Sequence, residues 1–574
     1  MNRRQFLRTI SFTSMGTVLL PASRLFPHAE HSAKTHQARR TRDFIDSMGV
    51  AVHWNYPDTP YGFDYTNVRD KLVESGITHV RDGFSNRIQD LGNRGIKSMI
   101  VADLPNNAHG DIEDVRNIRD RIKQENRNDL FIDAVEGPNE VDIFWERFKK
   151  TYNGDGYQQG QAGIIKGAVQ FQKDVYTTLK SDPETEPLTV MGMALGRTYD
   201  PGAGYPNPLE DGELTEFVDW GNFHPYPGGG NPFSYPYSYA GIEKYYWQSN
   251  FPSINLDEYP YAFDTYHPPY APKPMASSET GWASHAKGIS ERTHGKYIPR
   301  LYAEYFRLGI QRAFIYEFID EFKDPDKSNP EANYGLLRRD TSPKPGYTAI
   351  KNLIELLKDE GPEFEPGVLN YRFCRFSKGD YNKTYFVHQL LLQKSDGDFY
   401  ILLWHEISAE DISVHPHKQL QHPDMPVELE FNEPISKVTV YRYNQKMSFE
   451  EQTAELDNDT LSLSVPDRIM VVRVKPGVSR IEHERSIKSF HLFQNYPNPF
   501  NPVTTIAYQL PHKSHVRLQV HNLSGRVLTT LVDERQEAGL HKIAFSNSRL
   551  PSGTYWYRLT ASHFSQVRKM VLIR

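Results

Sequence analysis

Strand-length apolar segments alternate with helix-length amphipathic segments across residues 41–359 of this 574-residue chain. The eight predicted strands are Met48–Trp54, His79–Gly83, Lys97–Asp103, Ile132–Glu140, Leu188–Leu195, Trp220–Tyr226, Pro274–Trp282 and Arg312–Asp320. Eight strand–helix units in about 320 residues are typical of a closed (β/α)8 TIM barrel and fit an open doubly wound sheet less well. We therefore predict an α/β fold in which residues 41–359 form a barrel. No Gly-rich phosphate loop follows any predicted strand, which argues against a nucleotide site.

Apolar residues at helical spacing lie between the predicted strands. In the first predicted helix they are Val68, Leu72 and Val73, which we expect on one buried face. Helical periodicity stops near residue 360, and segments of strand length follow. These are Asp398–Trp404, Lys437–Tyr443, Leu461–Val465 and Arg468–Val474, which predict a β-sandwich over residues 360–478.

The two ends of the chain carry targeting signals. Arg3 and Arg4 precede an apolar run at residues 10–20, which is the pattern of an export signal. An apolar run of 11 residues is too short to span about 30 Å of hydrocarbon as a helix. The paired arginines resemble a twin-arginine signal, and the alternative is an ordinary export signal with chance arginines. We expect residues 1–40 to be signal and leader, outside the fold.

The tail has period-two strands separated by Asn, Pro and Gly turns, which predicts a small immunoglobulin-like sandwich over residues 490–574. A charged segment, 479–489, is the predicted linker to it. The run QNYPNPFNP at 494–502 and the closing segment 569–572 resemble the type A C-terminal sorting domain of the type IX secretion system. This resemblance implies a Gram-negative host, export and outer-membrane secretion machinery as partners, and a secreted or surface-attached product. The alternative is an accessory sandwich without a sorting role.

Composition excludes several classes of function. The chain has 66 basic and 72 acidic residues, so no basic surplus indicates a nucleic-acid partner. Its single cysteine, Cys374, excludes an internal disulfide framework and a multi-cysteine zinc site. The histidines are scattered, and we expect neither a metal nor another cofactor.

Catalytic groups of TIM barrels lie where the strands end, at the C-terminal face. The fourth predicted strand ends at Glu140 and the seventh carries Glu279 near its end. Two carboxylates facing one cleft are what glycosidic bond cleavage needs, one protonated to assist the leaving oxygen and one ionised to attack the anomeric carbon. The dipeptide Asn-Glu alone carries no weight, because Asn432-Glu433 repeats it in the predicted sandwich.

Asn139-Glu140 at strand four, His224-Pro225-Tyr226 at strand six and Glu279 at strand seven resemble glycoside hydrolase clan A, whose members are retaining (β/α)8 enzymes. The resemblance implies that Glu140 is the acid/base, Glu279 the nucleophile, and Asn139 a ligand of the sugar 2-hydroxyl. The other residues expected to line the site are Arg81, His224, Tyr226, His53, Trp54, Trp282 and Glu317.

Structural roles remain open for several of these residues. Arg81 is equally an expected salt-bridge partner, and His224 an expected buried barrel histidine. His53 and Trp54 either replace the Trp that many clan members have at strand eight or pack in the core. Further acidic residues near strand ends either contact sugar hydroxyls or support the residues that do: Glu136, Asp320 and Glu321.

Fourteen aromatic residues lie in the 45 residues from Tyr226 to Tyr270, and we expect a flap whose rings stack on sugar, or else a cap that packs on itself. The sequence thus predicts a secreted retaining glycosidase that cleaves O-glycosidic bonds, β-linked in our expectation, of a poly- or oligosaccharide. The alternatives are a catalytically silent glycan-binding surface protein and a transglycosylase using the same cleft. A retaining enzyme requires the two carboxyl groups to lie about 5–5.5 Å apart.

Overall fold

The computed structural model describes residues 34–105, 114–143, 145–197, 206–227, 232, 266–375, 387–411, 414, 417–477, 490–495, 498, 500–523, 525–546 and 550–573. The chain divides into two compact units, Met1–Pro476 and Gly477–Arg574. The predicted export signal, the 479–489 linker and most of the aromatic segment between Tyr226 and Tyr270 lie outside the described residues.

The first unit contains the predicted barrel. Its eight parallel strands are Met48–Ala51, His79–Asp82, Lys97–Val101, Ile132–Glu136, Thr189–Met191, Gly221–Phe223, Met275–Thr280 and Ala313–Ile315. They lie side by side in chain order, and the eighth pairs with the first. A parallel bridge between Met191 and Trp220 joins the fifth to the sixth and closes the ring. The (β/α)8 prediction is confirmed.

Every barrel strand is shorter than its predicted segment. The fourth ends at Glu136 rather than Glu140, because Pro138 has no N–H to continue a ladder. Beyond the strand, backbone pairing with the segment after the fifth strand continues near Glu140, whose N–H donates to the Ala194 carbonyl at 2.9 Å. The residues that follow each strand form loops at the C-terminal face, and these loops carry the candidate site together with the last residues of the strands.

Helices surround the barrel. In chain order the α-helices are Thr41–Asp46, Pro60–Phe63, Tyr65–Ser75, Ile88–Gly92, Val115–Glu125, Trp145–Phe148, Gly160–Lys180, Glu291–Arg307 and Pro345–Leu357, with 3-10 turns at Tyr157–Gln159, Thr215–Phe217 and Pro330–Ala332. Val68 and Leu72 are buried as predicted, whereas Val73 is 44% exposed. At 100° per residue Val73 points about 140° away from Val68, so its placement on the buried face was wrong. None of the helices in the described part of the chain is long and apolar enough for a membrane span.

The predicted sandwich follows the barrel within the same unit. One antiparallel sheet contains, in order, Lys34–Gln37, Val368–Arg375, Met425–Phe431 and Thr460–Val465. The other contains Arg39–Arg40, Val387–Gln393, Phe399–His405, Met470–Pro476, Ile435–Tyr443 and Phe449–Ala454. Short pairs form at Thr151–Tyr152 with Asp155–Gly156 and at Glu410–Asp411 with Lys418–Gln419.

Residues 34–40 correct the expectation that everything before residue 41 is outside the fold. Lys34–Gln37 pairs antiparallel with Val368–Arg375, and Arg39–Arg40 pairs with Val387–Gln393. An edge strand offers unpaired N–H and C=O groups, which the segment before the barrel satisfies here. The chain therefore contributes to the sandwich before it enters the barrel.

The second unit is the predicted small sandwich. One sheet contains His491–Leu492, Val503–Leu510 and Gly539–Ser546; the other contains Val527–Gln536, Ser514–His521, Gly553–Ala561 and Phe564–Leu572. Alternate side chains of Gly553–Ala561 are buried, as a sheet covered on one face requires. The buried Tyr557 hydroxyl donates to the Phe493 carbonyl and accepts from the Asn495 N–H, which fixes the start of the 494–502 run on the sheet.

Candidate active site

Four barrel strands bring the predicted catalytic residues together at the C-terminal face. Arg81 lies in the second strand and Glu279 in the seventh, while Glu140 and His224 follow the fourth and sixth. A carboxylate oxygen of Glu140, a ring nitrogen of His224 and a carboxylate oxygen of Glu279 all lie within 4.8 Å of one another. The two carboxylates retain 12% and 10% side-chain exposure, so both reach the open side of the barrel end.

Arg81 connects the carboxylates of two strands. Its Nη1 donates to Glu279 Oε1 at 2.5 Å, and its Nε and Nη2 donate to the two oxygens of Glu136 at 2.5 and 3.0 Å. Nη2 also donates to Asn139 Oδ1 at 2.8 Å, which directs the amide NH2 of Asn139 away from the arginine. The guanidinium thus orients the predicted nucleophile and the predicted 2-hydroxyl ligand together.

Glu279 is held as an anion. Burial alone would raise its pKa, but the charges of Arg81 and His224 and a hydrogen bond from Tyr226 lower it. The Tyr226 hydroxyl donates to Glu279 Oε2 at 2.7 Å. Burial and the charge of Glu279 raise the pKa of Tyr226 well above its ordinary value, so this phenol remains a donor.

His224 bridges the predicted acid/base to the floor of the site. Its Nδ1 lies 2.7 Å from Glu140 Oε1, and its Nε2 lies 2.8 Å from Ser278 Oγ. Burial would lower its pKa, but the negative charges of Glu279, Glu136 and Glu140 outweigh burial and raise it to about 10. His224 is therefore an imidazolium that donates from both nitrogens.

Glu136 is the buried anion under the site, and the sequence predicted no definite role for it. It is fully buried, and it accepts hydrogen bonds from Arg81 and from Ser278 Oγ at 2.8 Å. Burial would raise its pKa, but Arg81 and His224 lower it to about 2. The sequence feature that could have indicated its role is its position in strand four, because an acidic residue that is fully buried in a barrel strand needs a cationic partner.

The backbone at Glu140 is unusual. Its φ is 45°, a left-handed conformation that residues other than glycine seldom adopt outside functional sites and turns. Gly196, after the fifth strand, lies against this side chain, because a Cβ there would be 2.6 Å from Ile143 Cδ1 and 2.9 Å from the carboxyl carbon of Glu140. The loop after strand five thus packs directly against the Glu140 side chain.

His53 and Glu317, from the ends of the first and eighth strands, form a second group with Glu321. His53 Nδ1 lies 2.7 Å from Glu321 Oε1 and 3.5 Å from Glu317 Oε2. Glu317 is fully buried, and burial, opposed by the hydrogen bond to His53, raises its pKa to about 8. A carboxylic acid that retains its proton near neutrality can donate a hydrogen bond as well as accept one.

The two predicted tryptophans lie deeper. Trp54 is 5% exposed and packs edge-on against Tyr61 and Tyr65. Trp282 is 1% exposed and packs on Tyr297, which leaves almost no indole surface for a ligand. Three tyrosines lie beside Glu279 instead: the rings of Tyr226, Tyr316 and Tyr334 have centroids 5.3–6.4 Å apart.

Within the described residues, three groups contain side chains of metal-ligand type close together: Glu140, His224 and Glu279; His53, Glu317 and Glu321; Glu304, His388 and Glu406. In each group the histidine already pairs with a carboxylate. Arginines neutralise Glu279 and Glu406. These are hydrogen-bonded ion networks, and acid–base chemistry by a pair of carboxylates needs no metal.

Comparison with known proteins identifies the C-terminal tail by its sequence and finds solved structures that resemble the rest of the chain. Residues 494–573 match the family described as "Secretion system C-terminal sorting domain". The chain therefore carries a sorting domain for export, to the medium or to the outer cell surface. No curated protein matches the sequence.

Several solved glycosidase structures resemble the chain at low identity. A family 39 glycoside hydrolase from the gut symbiont Bacteroides cellulosilyticus WH2 is 18% identical over 75% of this chain and 82% of its own, with a TM-score of 0.48. A bacterial orthologue of human α-L-iduronidase is 12% identical over 93% and 98% of the two chains, with a TM-score of 0.43. A β-glucuronidase from Parabacteroides merdae is 11% identical over 94% and 63%, with a TM-score of 0.34. The barrel assignment itself comes from the strand order, and the site is argued from its own geometry.

Proposed function

We propose that this protein is an exported retaining glycoside hydrolase that cleaves β-linked O-glycosidic bonds of a poly- or oligosaccharide by double displacement. The observation that carries the proposal is the approach of the Glu140 and Glu279 carboxylate oxygens to within 4.8 Å at one barrel end. Retaining enzymes have carboxyl groups about 5–5.5 Å apart, whereas inverting enzymes separate them by about 6.5–9.5 Å to admit a water molecule. A closest oxygen–oxygen approach within 4.8 Å supports the shorter of these two separations, and hence direct attack by a carboxylate.

The electrostatics of the site give the two carboxylates different roles. Arg81 and Tyr226 hold Glu279 ionised and fix both of its oxygens. Glu279 attacks the anomeric carbon, the bond to the leaving oxygen breaks, and the proton of Glu140 passes to that oxygen. Glu140 then takes a proton from water, whose oxygen displaces Glu279 from the anomeric carbon.

His224 supports the change of charge on Glu140. Once Glu140 has given up its proton, the adjacent imidazolium, 2.7 Å away, stabilises the new carboxylate. Ser278 and Glu136 hold the other side of the ring through Nε2. The amide of Asn139, oriented by Arg81, is available to donate to the sugar 2-hydroxyl.

The test is a hydrolysis screen of the full chain over plant, algal and microbial glycans, with the release of reducing ends as the readout. Glu279→Gln keeps the shape of the side chain and removes the nucleophile. Glu433→Gln is the matched control, because Asn432-Glu433 repeats the Asn139-Glu140 pair in the sandwich. We expect hydrolysis by the wild type and the control and none by Glu279→Gln. Proton NMR of the first product should show a retained anomeric configuration.

Other outcomes would contradict the proposal. An inverted first product would exclude double displacement. Glycan binding by wild type and Glu279→Gln alike, without hydrolysis in either, would make the protein a silent glycan-binding protein. Longer products rather than new reducing ends would indicate a transglycosylase.

A further inference from the structure

A second pocket opens at the C-terminal face, beside the loops that follow the first and second barrel strands. Its volume is about 530 Å³, within the range of small-molecule sites of about 300–1,000 Å³. The aromatic and cationic residues that line it are Trp54, Phe63, Phe84, Arg87 and Arg121. None of the described residues that line it is acidic.

Arg87, one of the two cations of this pocket, makes no ion pair with another described residue. Its guanidinium lies 4.0 Å from the centre of the Tyr65 ring, and its buried Nε has no hydrogen-bond partner among the described residues. Arg69 stacks on the same ring at 5.6 Å but is paired with Asp70 at 2.6 Å and Asp90 at 3.1 Å. The ring therefore positions Arg87 without neutralising it.

Aromatic surface accompanies this charge. Phe63 is 60% exposed, and the Arg121 guanidinium lies 4.0 Å from the centre of the Phe84 ring. The Trp54 Nε1 donor is buried and has no partner among the described residues. Because this donor is enclosed by protein, the Arg87 guanidinium and the exposed Phe63 ring are the groups of this wall that a ligand would contact.

The pocket lies near the second group of strand-end residues. The Arg339 guanidinium lies 5.1 Å from the centre of the Phe63 ring and donates to the Glu321 carbonyl. Glu321 in turn contacts His53, the residue before Trp54. These contacts connect the wall of the pocket to the ends of the first and eighth strands, which lie at the same end of the barrel as the cleft.

We propose that this pocket binds an acidic sugar residue, carboxylated or sulfated, of the same glycan whose bond is cleaved. A guanidinium presents planar paired donors to the oxygens of a carboxylate or sulfate, and exposed rings pack against the apolar face of a sugar. This inference rests on the proposed function, because it makes the substrate class of that site an anionic glycan.

The test measures binding to the full chain carrying Glu279→Gln, so that no probe is hydrolysed. The probes are oligogalacturonate, which is carboxylated, carrageenan oligosaccharides, which are sulfated, and neutral cello-oligosaccharides. We expect at least one acidic probe to bind about tenfold more tightly than the neutral one, and added salt to weaken that preference. The probe that binds distinguishes a carboxylated from a sulfated ligand.

Arg87→Gln should reduce the affinity for the acidic probe to the neutral level, and Arg87→Lys should restore part of it. Arg69→Gln is the matched control and should leave binding unchanged. Phe63→Ala is a second variant of the same pocket, for the case in which Arg87→Gln folds poorly, because Phe63 is exposed. It should weaken binding of the acidic probe. Equal binding of acidic and neutral probes, or equal behaviour of Arg87→Gln and Arg69→Gln, would overturn the proposal.

These experiments distinguish failure of the pocket proposal from failure of the glycosidase proposal. If wild type hydrolyses only neutral glycans and Arg87→Gln binds like its parent, the pocket proposal fails while the glycosidase proposal stands. If nothing is hydrolysed but Arg87 selects the acidic probe, the pocket proposal stands alone.

Discussion

Two clusters in the first unit are built from the same residue types. At the barrel end, Glu140, His224 and Glu279 bring one ligand atom each within 4.8 Å of one another, and between the barrel and the sandwich Glu304, His388 and Glu406 do the same. We call these the site cluster and the interior cluster. The side chains of Glu140 and Glu279 are 12% and 10% exposed, whereas those of Glu304 and Glu406 are 1% and 0% exposed.

The interior cluster joins two parts of the unit. Glu304 belongs to helix Glu291–Arg307, His388 to a sandwich strand, and Glu406 follows the next strand. Arg300, from the same helix, binds both oxygens of Glu406, whose Oε2 also accepts from Trp404 Nε1 at 2.7 Å. Its carboxylates are saturated by protein donors, and nothing remains for a ligand.

The site cluster differs in what it leaves unsaturated. Among the described residues no arginine or lysine pairs with Glu140, whose one ion-pair partner there is His224. Its backbone is held at a positive φ and its carboxylate reaches the open end of the barrel. The same side chains therefore stabilise the fold where they are enclosed and are available for chemistry where strands end at a surface.

The largest expected effect is a loss of kcat on substitution of Glu140 in the site cluster, which substitutions in the interior cluster should not cause. Glu140→Ala removes the proposed proton donor, and general acid–base catalysis contributes up to about 10⁴-fold to rate. We expect kcat to fall by about that factor for glycosides with poor leaving groups and much less for aryl glycosides whose leaving group needs no proton. Steady-state kinetics on the two substrate types measures the difference.

Azide provides the control for Glu140→Ala. A small anion can occupy the space of the missing carboxylate and attack the glycosyl–Glu279 intermediate without base assistance. The variant should form a glycosyl azide of retained configuration, detectable by mass spectrometry and NMR. An equal loss for both leaving-group types, without azide product, would assign Glu140 a positioning role instead.

The next effect should appear in stability. Glu406→Gln leaves the buried Arg300 without its counter-charge, and breaking a buried ion pair costs about 3–5 kcal/mol. We expect this loss in the free energy of unfolding of the first unit, measured by urea titration, and an unchanged kcat for the molecules that remain folded.

Arg372–Glu430, a partly exposed pair on the sandwich, is the comparison for Glu406→Gln. Removing a surface ion pair costs about 0–1 kcal/mol. Glu430→Gln should therefore leave stability nearly unchanged. A large drop in kcat for Glu406→Gln would show that the interior cluster is coupled to the cleft.

The sequence predicted the barrel, both sandwiches and the residues at the strand ends. These follow from the spacing of apolar residues and from the succession of strands and helices along the chain, which can be read locally. It predicted Glu140 and Glu279 from their place in strands four and seven. It predicted that Arg81 lines the site, but it could not predict that the Arg81 guanidinium also binds Glu136, because that contact depends on the radial arrangement of the strands.

Other features also depended on distant partners. The pairing of Lys34–Gln37 with Val368–Arg375 spans more than 300 residues, and nothing local in the leader indicates it. The interior cluster has no motif, since its members come from a helix, a strand and the residue after another strand. Trp282 was predicted to line the site because the seventh predicted strand ends there, but its ring packs on Tyr297 in the core.

The smallest expected effect concerns the charge on His224. Its pKa is raised to about 10 because Glu279, Glu136 and Glu140 outweigh burial. A raised folded-state pKa stabilises the protein fully below the unfolded value of about 6.5, and this contribution disappears as pH rises toward 10. The stability advantage of wild type over His224→Asn should therefore shrink from pH 7 to pH 10, by at most about 1.4 kcal/mol per pH unit.

His294 is the matched control for this titration. It is equally buried, but burial and the nearby Lys344 lower its pKa to about 3, so it stays neutral over the same range. The stability difference between wild type and His294→Asn should not change between pH 7 and pH 10. If the His224→Asn difference is equally flat, His224 is neutral in the folded protein, and Glu140 then faces a neutral ring when it loses its proton. The barrel end would in that case lack the cation that distinguishes its acid/base from an ordinary surface glutamate.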